Sequence, residues 1–201
     1  MFSFVLARRD FREYDQLISL YTLEKGKVEA LARGVKKIGS KNTAALEPFS
    51  FIEAELVQGR ELTHITKAVP TDYFARIRSD LKKSLLAGYI MDLADKILQP
   101  GLPDKNIFYL LKNWLEFLDE TDAPEPALAD AIVARFFILL GFDIRETEGL
   151  PVKTKENLEF LATAGWPDIG QDRVFSHRLI HKFAVYQAER PLADWAKICQ
   201  L

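Results

Sequence analysis

Residues 49–69, FSFIEAELVQGRELTHITKAV, decide the fold. Ile52, Ala54 and Leu56 fall on one face of an extended chain, with Glu53 and Glu55 on the other. That period of two is the pattern of a strand with one buried side. Gly59, Arg60 and Glu61 then read as a hairpin turn into a second strand, LTHITKAV (62–69). The same reading extends towards the N-terminus. In KVEALAR (27–33), Val28, Ala30 and Ala32 share a face opposite Lys27, Glu29 and Arg33. FSFVLARR (2–9) is another strand, and DQLISLYTL (15–23) another, closed by the turn EKGK. Five short strands ahead of Pro70 predict a small closed or nearly closed barrel.

After Pro70 the period becomes helical. Leu86, Ile90, Leu93 and Ile97 form one stripe, ended by QPGLP (99–103). Ile107, Leu110, Leu111, Trp114 and Leu118 form a second, followed by the break DAPEP (122–126). Leu128, Ile132, Phe136, Leu139 and Leu140 form a third, stopped at Gly141, and Phe175, Leu179, Phe183 and Tyr186 a fourth. Helices this short need one another for stability, so a bundle is expected. The fold class is therefore α+β, with a barrel over residues 1–70 and a helical domain over 71–201.

Composition narrows the function. The chain has 201 residues, is 48% hydrophobic and carries a formal charge of −2, enough apolar content for a real core. No apolar run is long enough to span a bilayer. Cys199 is the only cysteine, which excludes an internal disulfide or a thiolate zinc site and fits a reducing cytosol. His177 and His181 have a metal-binding spacing, but Arg178 stands where a zinc protease carries its glutamate and no third ligand is suggested; a solvated basic face is the expectation. RGVKKIGSK (33–41) lacks the glycine–lysine spacing of a P-loop. No nucleophile elbow or paired-carboxylate signature stands out, and no catalytic residue is assigned.

What remains is charge in clusters. Arg33, Lys36, Lys37 and Lys41 fall within nine residues, and Arg8, Arg9 and Arg12 form a second group with Phe11 and Tyr14 interleaved. Cations track phosphates and aromatic rings stack on unpaired bases. On a small barrel the two groups can meet, which is what single-strand binding requires. The rival reading is a protein-interaction scaffold whose basic loop meets an acidic partner.

Four segments, read in order, are similar to a known family. They are FVLARRDFREYDQLISLYTLEKGKVEALARGVKK (4–37), SKNTAALEPFSFIEAELVQGRELTHITKA (40–68), YFARIRSDLKKSLLAGYIMDLADKIL (73–98) and RFFILLGFDI (135–144). Together they resemble the bacterial recombination-repair family RecO. The resemblance implies an N-terminal OB-fold and a C-terminal helical domain. It also implies binding of single- and double-stranded DNA, annealing of complementary strands, and help in loading recombinase onto DNA coated by single-strand-binding protein. The implied partners are RecR and the acidic tail of single-strand-binding protein, and the implied location is the cytoplasm, on the nucleoid when bound to DNA. A receptor for that tail needs a cation beside an apolar surface. The resemblance puts a basic residue at the start of the helix containing Arg135, with Phe136 and Leu139 nearby; Arg78, Lys82 and Lys83 form a second basic group. Many family members carry a four-cysteine zinc module after this helix. Residues 141–170, GFDIRETEGLPVKTKENLEFLATAGWPDIG, contain no cysteine, so a metal-free core closed by Leu158, Leu161 and Trp166 is expected. Phe137 also stands where the family often has an acid.

Overall fold

The structure is a computed structural model that describes residues 1–37, 43–122, 124, 126–169, 177–189 and 191–198. Its strands are β1 (Phe2–Asp10), β2 (Gln16–Thr22), β3 (Gly26–Ala32), β4 (Phe51–Gln58) and β5 (Thr63–Asp72). They close into a barrel in the order β1-β2-β3-β5-β4. Every pairing is antiparallel except β3 with β5, which meet in parallel over two residue pairs, Ala30 with Thr63 and Leu31 with His64. A small five-stranded barrel of this kind is an OB-fold. The alternation in β4 is realised as read: Ile52 and Ala54 are buried while Glu53 and Glu55 are exposed. β5 continues through Pro70 to Asp72. Proline is tolerated there because the ladder slips register between Phe51 and Ile52, next to its partner.

The barrel interior is small and aliphatic. Val5, Ile18, Leu20, Ala30, Ile52, Ala54 and Ile65 line it, and Val35, Ala45 and Leu46 from the long β3–β4 connection plug it. Each fully buried Ile or Leu here contributes about 1.5–3 kcal/mol. Alanines at positions 30, 32, 54 and 68 keep the lumen narrow enough to fill without voids.

The helices are α1 (Ala75–Ser79), α2 (Leu81–Ile97), α3 (Lys105–Glu120), α4 (Pro126–Leu139), α5 (Val152–Thr163), α6 (His177–Ala188) and α7 (Trp195–Ile198). The chain falls into two compact units, residues 1–75 with 90–108, and residues 76–89 with 109–201. Within the first unit, residues 90–108 lie on the barrel. Phe108 joins an aromatic cluster with Phe4, Phe51 and Tyr21. Asp95 accepts from Ser19 at 2.5 Å and pairs with Lys27 at 3.1 Å. The Tyr21 hydroxyl lies 3.2 Å from the Asp104 carbonyl and 3.1 Å from its backbone N–H. The β2–β3 hairpin meets the α2–α3 connection so closely that a Cβ on Gly26 would sit 2.3 Å from the Leu102 carbonyl oxygen.

In the second unit α4 is central. Ala127, Leu128, Ala129, Ala131, Ile132, Val133, Ala134, Phe136 and Phe137 are all buried, and α5, α6 and α7 pack against it. The one-sided stripe expected for this helix is therefore replaced by burial nearly all round. Its alanines are the reason, since they let neighbours approach faces that larger residues would hold apart. Leu139, at the end of the expected stripe, is 37% exposed. The stripe expected on α6 also moves: Ile180 and Ala184 are buried and Tyr186 is exposed, and Phe175 lies outside the described residues. Leu158 and Leu161 are buried as expected.

Candidate nucleic-acid interface

Two loops of the barrel are tied together by backbone chemistry. The β1–β2 turn is closed by Phe11 and Arg12 N–H groups donating to the Asp15 carbonyl at 3.1 and 3.3 Å. After β3 the chain turns at Gly34, whose φ of +64° is disfavoured for a residue with a Cβ. Lys37 N–H closes that turn onto the Gly34 carbonyl at 3.1 Å. Among the described residues, two backbone N–H groups then join the loops: Gly34 N–H donates to the Asp15 carboxylate at 2.8 Å, and Lys36 N–H to the Tyr14 carbonyl at 3.1 Å.

The result is an open cleft of about 480 Å3 lined by Arg12, Glu13, Tyr14, Asp15, Arg33, Gly34 and Lys37. It unites members of both basic clusters. Arg12 lies over the Phe11 ring at 5.1 Å and Lys37 over the Tyr14 ring at 5.6 Å, contacts that orient a cation without neutralising it. Arg12, Arg33 and Lys37 have no ion-pair partner among the described residues. A hydrogen bond with Glu13 raises the Tyr14 pKa above its ordinary value; a phenol is neutral at physiological pH in any case, so no phenolate repels phosphate here.

The other basic residues are placed differently. Arg8 pairs with Glu47, Arg9 with Glu29 at 2.6 Å, and Lys36 with Asp10 at 2.9 Å. Hydrogen bonds from Gln16 and then Lys36 hold Asp10 below the usual carboxylate range. Arg8 and Arg9 are consecutive on β1 and so point to opposite faces. Phe11 and Tyr14 are 41% and 45% exposed, and of the two only Tyr14 lines the cleft. Lys41 lies outside the described residues.

On α4, Arg135 turns towards α5. Its Nε donates to the Leu161 carbonyl at 2.7 Å, its Nη2 donates to the Ala164 carbonyl, and its guanidinium lies 4.0 Å from the Trp166 ring centre. Burial lowers its pKa to about 10, which still leaves it charged at neutral pH. The cation thus satisfies carbonyls at the C-terminal end of α5, where the helix dipole is negative. Phe136 is buried and Leu139 exposed, so of the two apolar neighbours only Leu139 offers a surface.

Residues 3–74 match the model of the recombination protein O N-terminal region, and residues 78–163 match that of its C-terminal region. The chain belongs to the recombination protein O family. It is similar to the DNA repair protein RecO of Geobacter metallireducens, with 39% identity over 140 residues, 70% of this chain and 57% of that relative. It is also similar to proteins of that name from Desulforamulus reducens, 38% identical over 57% of this chain and 44% of the relative, and Geobacter sulfurreducens, 36% identical over 69% and 56%. The chain spans about half the length of the curated relatives it matches.

A polar cluster that the sequence reading missed joins Asp130, inside the matched region, to His177, Asp194 and Trp195, which lie beyond its end. His177 Nδ1 lies 2.8 Å from Asp130 Oδ1 and its Nε2 lies 3.0 Å from Asp194 Oδ1, while Trp195 Nε1 donates to the same Asp130 oxygen at 2.7 Å. Neutral imidazole has one N–H, so two carboxylates on two ring nitrogens call for the imidazolium. The Asp130 hydrogen bond raises the His177 pKa, against the opposing effect of burial. His181 packs its ring on Trp195 at 5.1 Å. The pair is thus half-buried polar packing rather than the expected solvated basic face. The signal available in sequence was the lone acid Asp130 within the apolar run of α4. Among the described residues no group of three or more His, Cys, Asp or Glu side chains is placed to hold a metal, and no helix is long and apolar enough to cross a membrane.

Proposed function

We propose that this protein is a DNA repair and homologous recombination mediator. It binds single- and double-stranded DNA through the barrel domain of residues 1–70, anneals complementary strands, and helps load recombinase onto DNA coated by single-strand-binding protein. It does so without bond-breaking chemistry, in the cytoplasm and on the nucleoid, with RecR as a partner. The helical domain of residues 71–201 takes the acidic tail of single-strand-binding protein at Arg135, with Leu139 as apolar neighbour. Nη1 of Arg135 has no partner among the described residues and is the donor left for a carboxylate.

The observation that carries the DNA reading is the cleft lined by Arg12, Arg33, Lys37 and Tyr14, whose three cations have no ion pair among the described residues. Unpaired cations exchange counterions for phosphates, while an aromatic face accepts any base. Arg8, Arg9 and Lys36 contribute less, because each already has an acid partner. Binding of labelled single-stranded DNA across a salt series tests this. Arg12, Arg33 and Lys37 changed together to alanine should lower the slope of log K against log salt by about 2, at about 0.7 per lost contact, and slow annealing. The same change at Arg8, Arg9 and Lys36 should cost less. An unchanged slope in the folded first variant overturns the reading, and absent annealing in wild type favours the scaffold.

A further inference from the structure

We infer that Asp15 is a positioning residue of this cleft, whose carboxylate holds the loop after β3 so that Arg33 and Lys37 face Arg12. The inference rests on the reading of the cleft as a DNA contact. Asp15 sits at the last position of the β1–β2 turn, where its own backbone is fixed by bonds with Phe11 and Arg12. Its side chain reaches across to the Gly34 N–H at 2.8 Å. Gly34 separates the two cations of the opposite wall: it follows Arg33 directly, and its carbonyl anchors the Lys37 N–H. A carboxylate accepting a backbone N–H makes a charge-assisted bond, stronger than its neutral counterpart. The Lys36 N–H to Tyr14 carbonyl bond, which also joins the loops, is between neutral groups.

Charge and position make opposite demands at this residue. An acid inside a phosphate-binding cleft repels its ligand, so on Coulomb grounds alone its removal tightens binding. As the acceptor that sets the loop, its removal loosens binding. Asp15→Asn and Asp15→Ala separate the two, because both delete the charge and only asparagine keeps an oxygen at the same reach. Asp15→Glu restores the charge but carries the acceptor one carbon further out.

The test is titration of a labelled single-stranded oligonucleotide against wild type and the three variants at one salt concentration, with melting temperatures taken alongside. Asp15→Asn is expected to bind as tightly as wild type or more tightly. Asp15→Ala is expected to bind roughly 3- to 10-fold more weakly than Asp15→Asn, the effect of one hydrogen bond. Asp15→Glu should also bind more weakly than Asp15→Asn. Exchange of the Gly34 amide gives a second readout that does not depend on the alanine variant folding: protection in wild type and Asp15→Asn, and its loss in Asp15→Glu. Equal affinities of Asp15→Ala and Asp15→Asn, or equal Gly34 protection in Asp15→Glu and wild type, overturn the positioning role while leaving the DNA reading intact. A wild-type protein that binds no DNA overturns the DNA reading itself, and the inference with it.

Discussion

Gly26 offers the sharpest test of how the barrel is held to the α2–α3 connection. Its φ is +66°, and a Cβ there would lie 2.3 Å from the Leu102 carbonyl oxygen, 2.4 Å from the Leu102 carbonyl carbon and 2.7 Å from the Pro103 nitrogen. All three are backbone atoms, so no side chain can rotate away to make room. Gly26→Ala therefore costs twice. The left-handed backbone costs about 1–2 kcal/mol for a residue with a Cβ. Displacing residues 101–103 also strains the Gly101 N–H to Lys27 carbonyl bond of 3.0 Å, worth about 0.5–1.5 kcal/mol net. Together this is about 1.5–3.5 kcal/mol, or a fall of roughly 3–14 °C in melting temperature for a chain of this size. Gly34→Ala is the control: its φ is +64°, but its nearest neighbour is the Lys37 Cδ at 3.6 Å, so only the backbone term of about 1–2 kcal/mol applies. Thermal and urea unfolding followed by circular dichroism measure both. Equal losses at the two positions, or none at Gly26, would refute the close-approach argument.

His177 makes stability depend on pH in a defined direction. Its folded-state pKa is raised above 6.5, so its contribution is fully present below about 6.5 and is lost as pH rises through the raised value. His177→Gln should remove that part of the dependence, and an identical profile in the variant contradicts the imidazolium. Arg135→Ala should lower stability by about 1.5–3 kcal/mol, the scale of hydrogen bonds from a charged donor, as read from urea unfolding; an unchanged midpoint means the α5 carbonyls do not need it. Arg135→Glu should weaken binding of an acidic tail peptide by about 1.5–3 kcal/mol while leaving bare-DNA binding alone, and equal affinities of two folded proteins remove Arg135 from that site.

The parts of the fold that were legible in sequence are those governed by local periodicity. Ile52, Ala54, Glu53 and Glu55 declare both a strand and its buried face, because the pleat forces successive side chains apart. The pairing of β3 with β5 was not legible, since it joins residues far apart in sequence through only two positions. Burial of α4 on nearly every face was hidden because alanine is compatible with either a surface or a close packing contact. At the candidate site, residue type revealed the cations but not their partners. Whether Arg9 faces a phosphate or Glu29 depends on cross-strand neighbours, and Arg135's inward turn depends on where α5 ends.

The placement of residues 90–108 on the barrel has a consequence for the growing chain. The last strand ends at Asp72, yet Phe108, which completes the aromatic cluster around Phe4 and Phe51, is 36 residues further on. At a synthesis rate of roughly 5–20 residues per second, the ribosome needs about 2–7 s to add that interval. Until then the nascent barrel carries Phe4, Phe51 and Tyr21 without their cover, and for the first 23 residues of that interval Ser19 and Lys27 also lack Asp95. The window for mispairing or chaperone capture is thus set by the length of chain between Asp72 and Phe108 rather than by the barrel's own sequence.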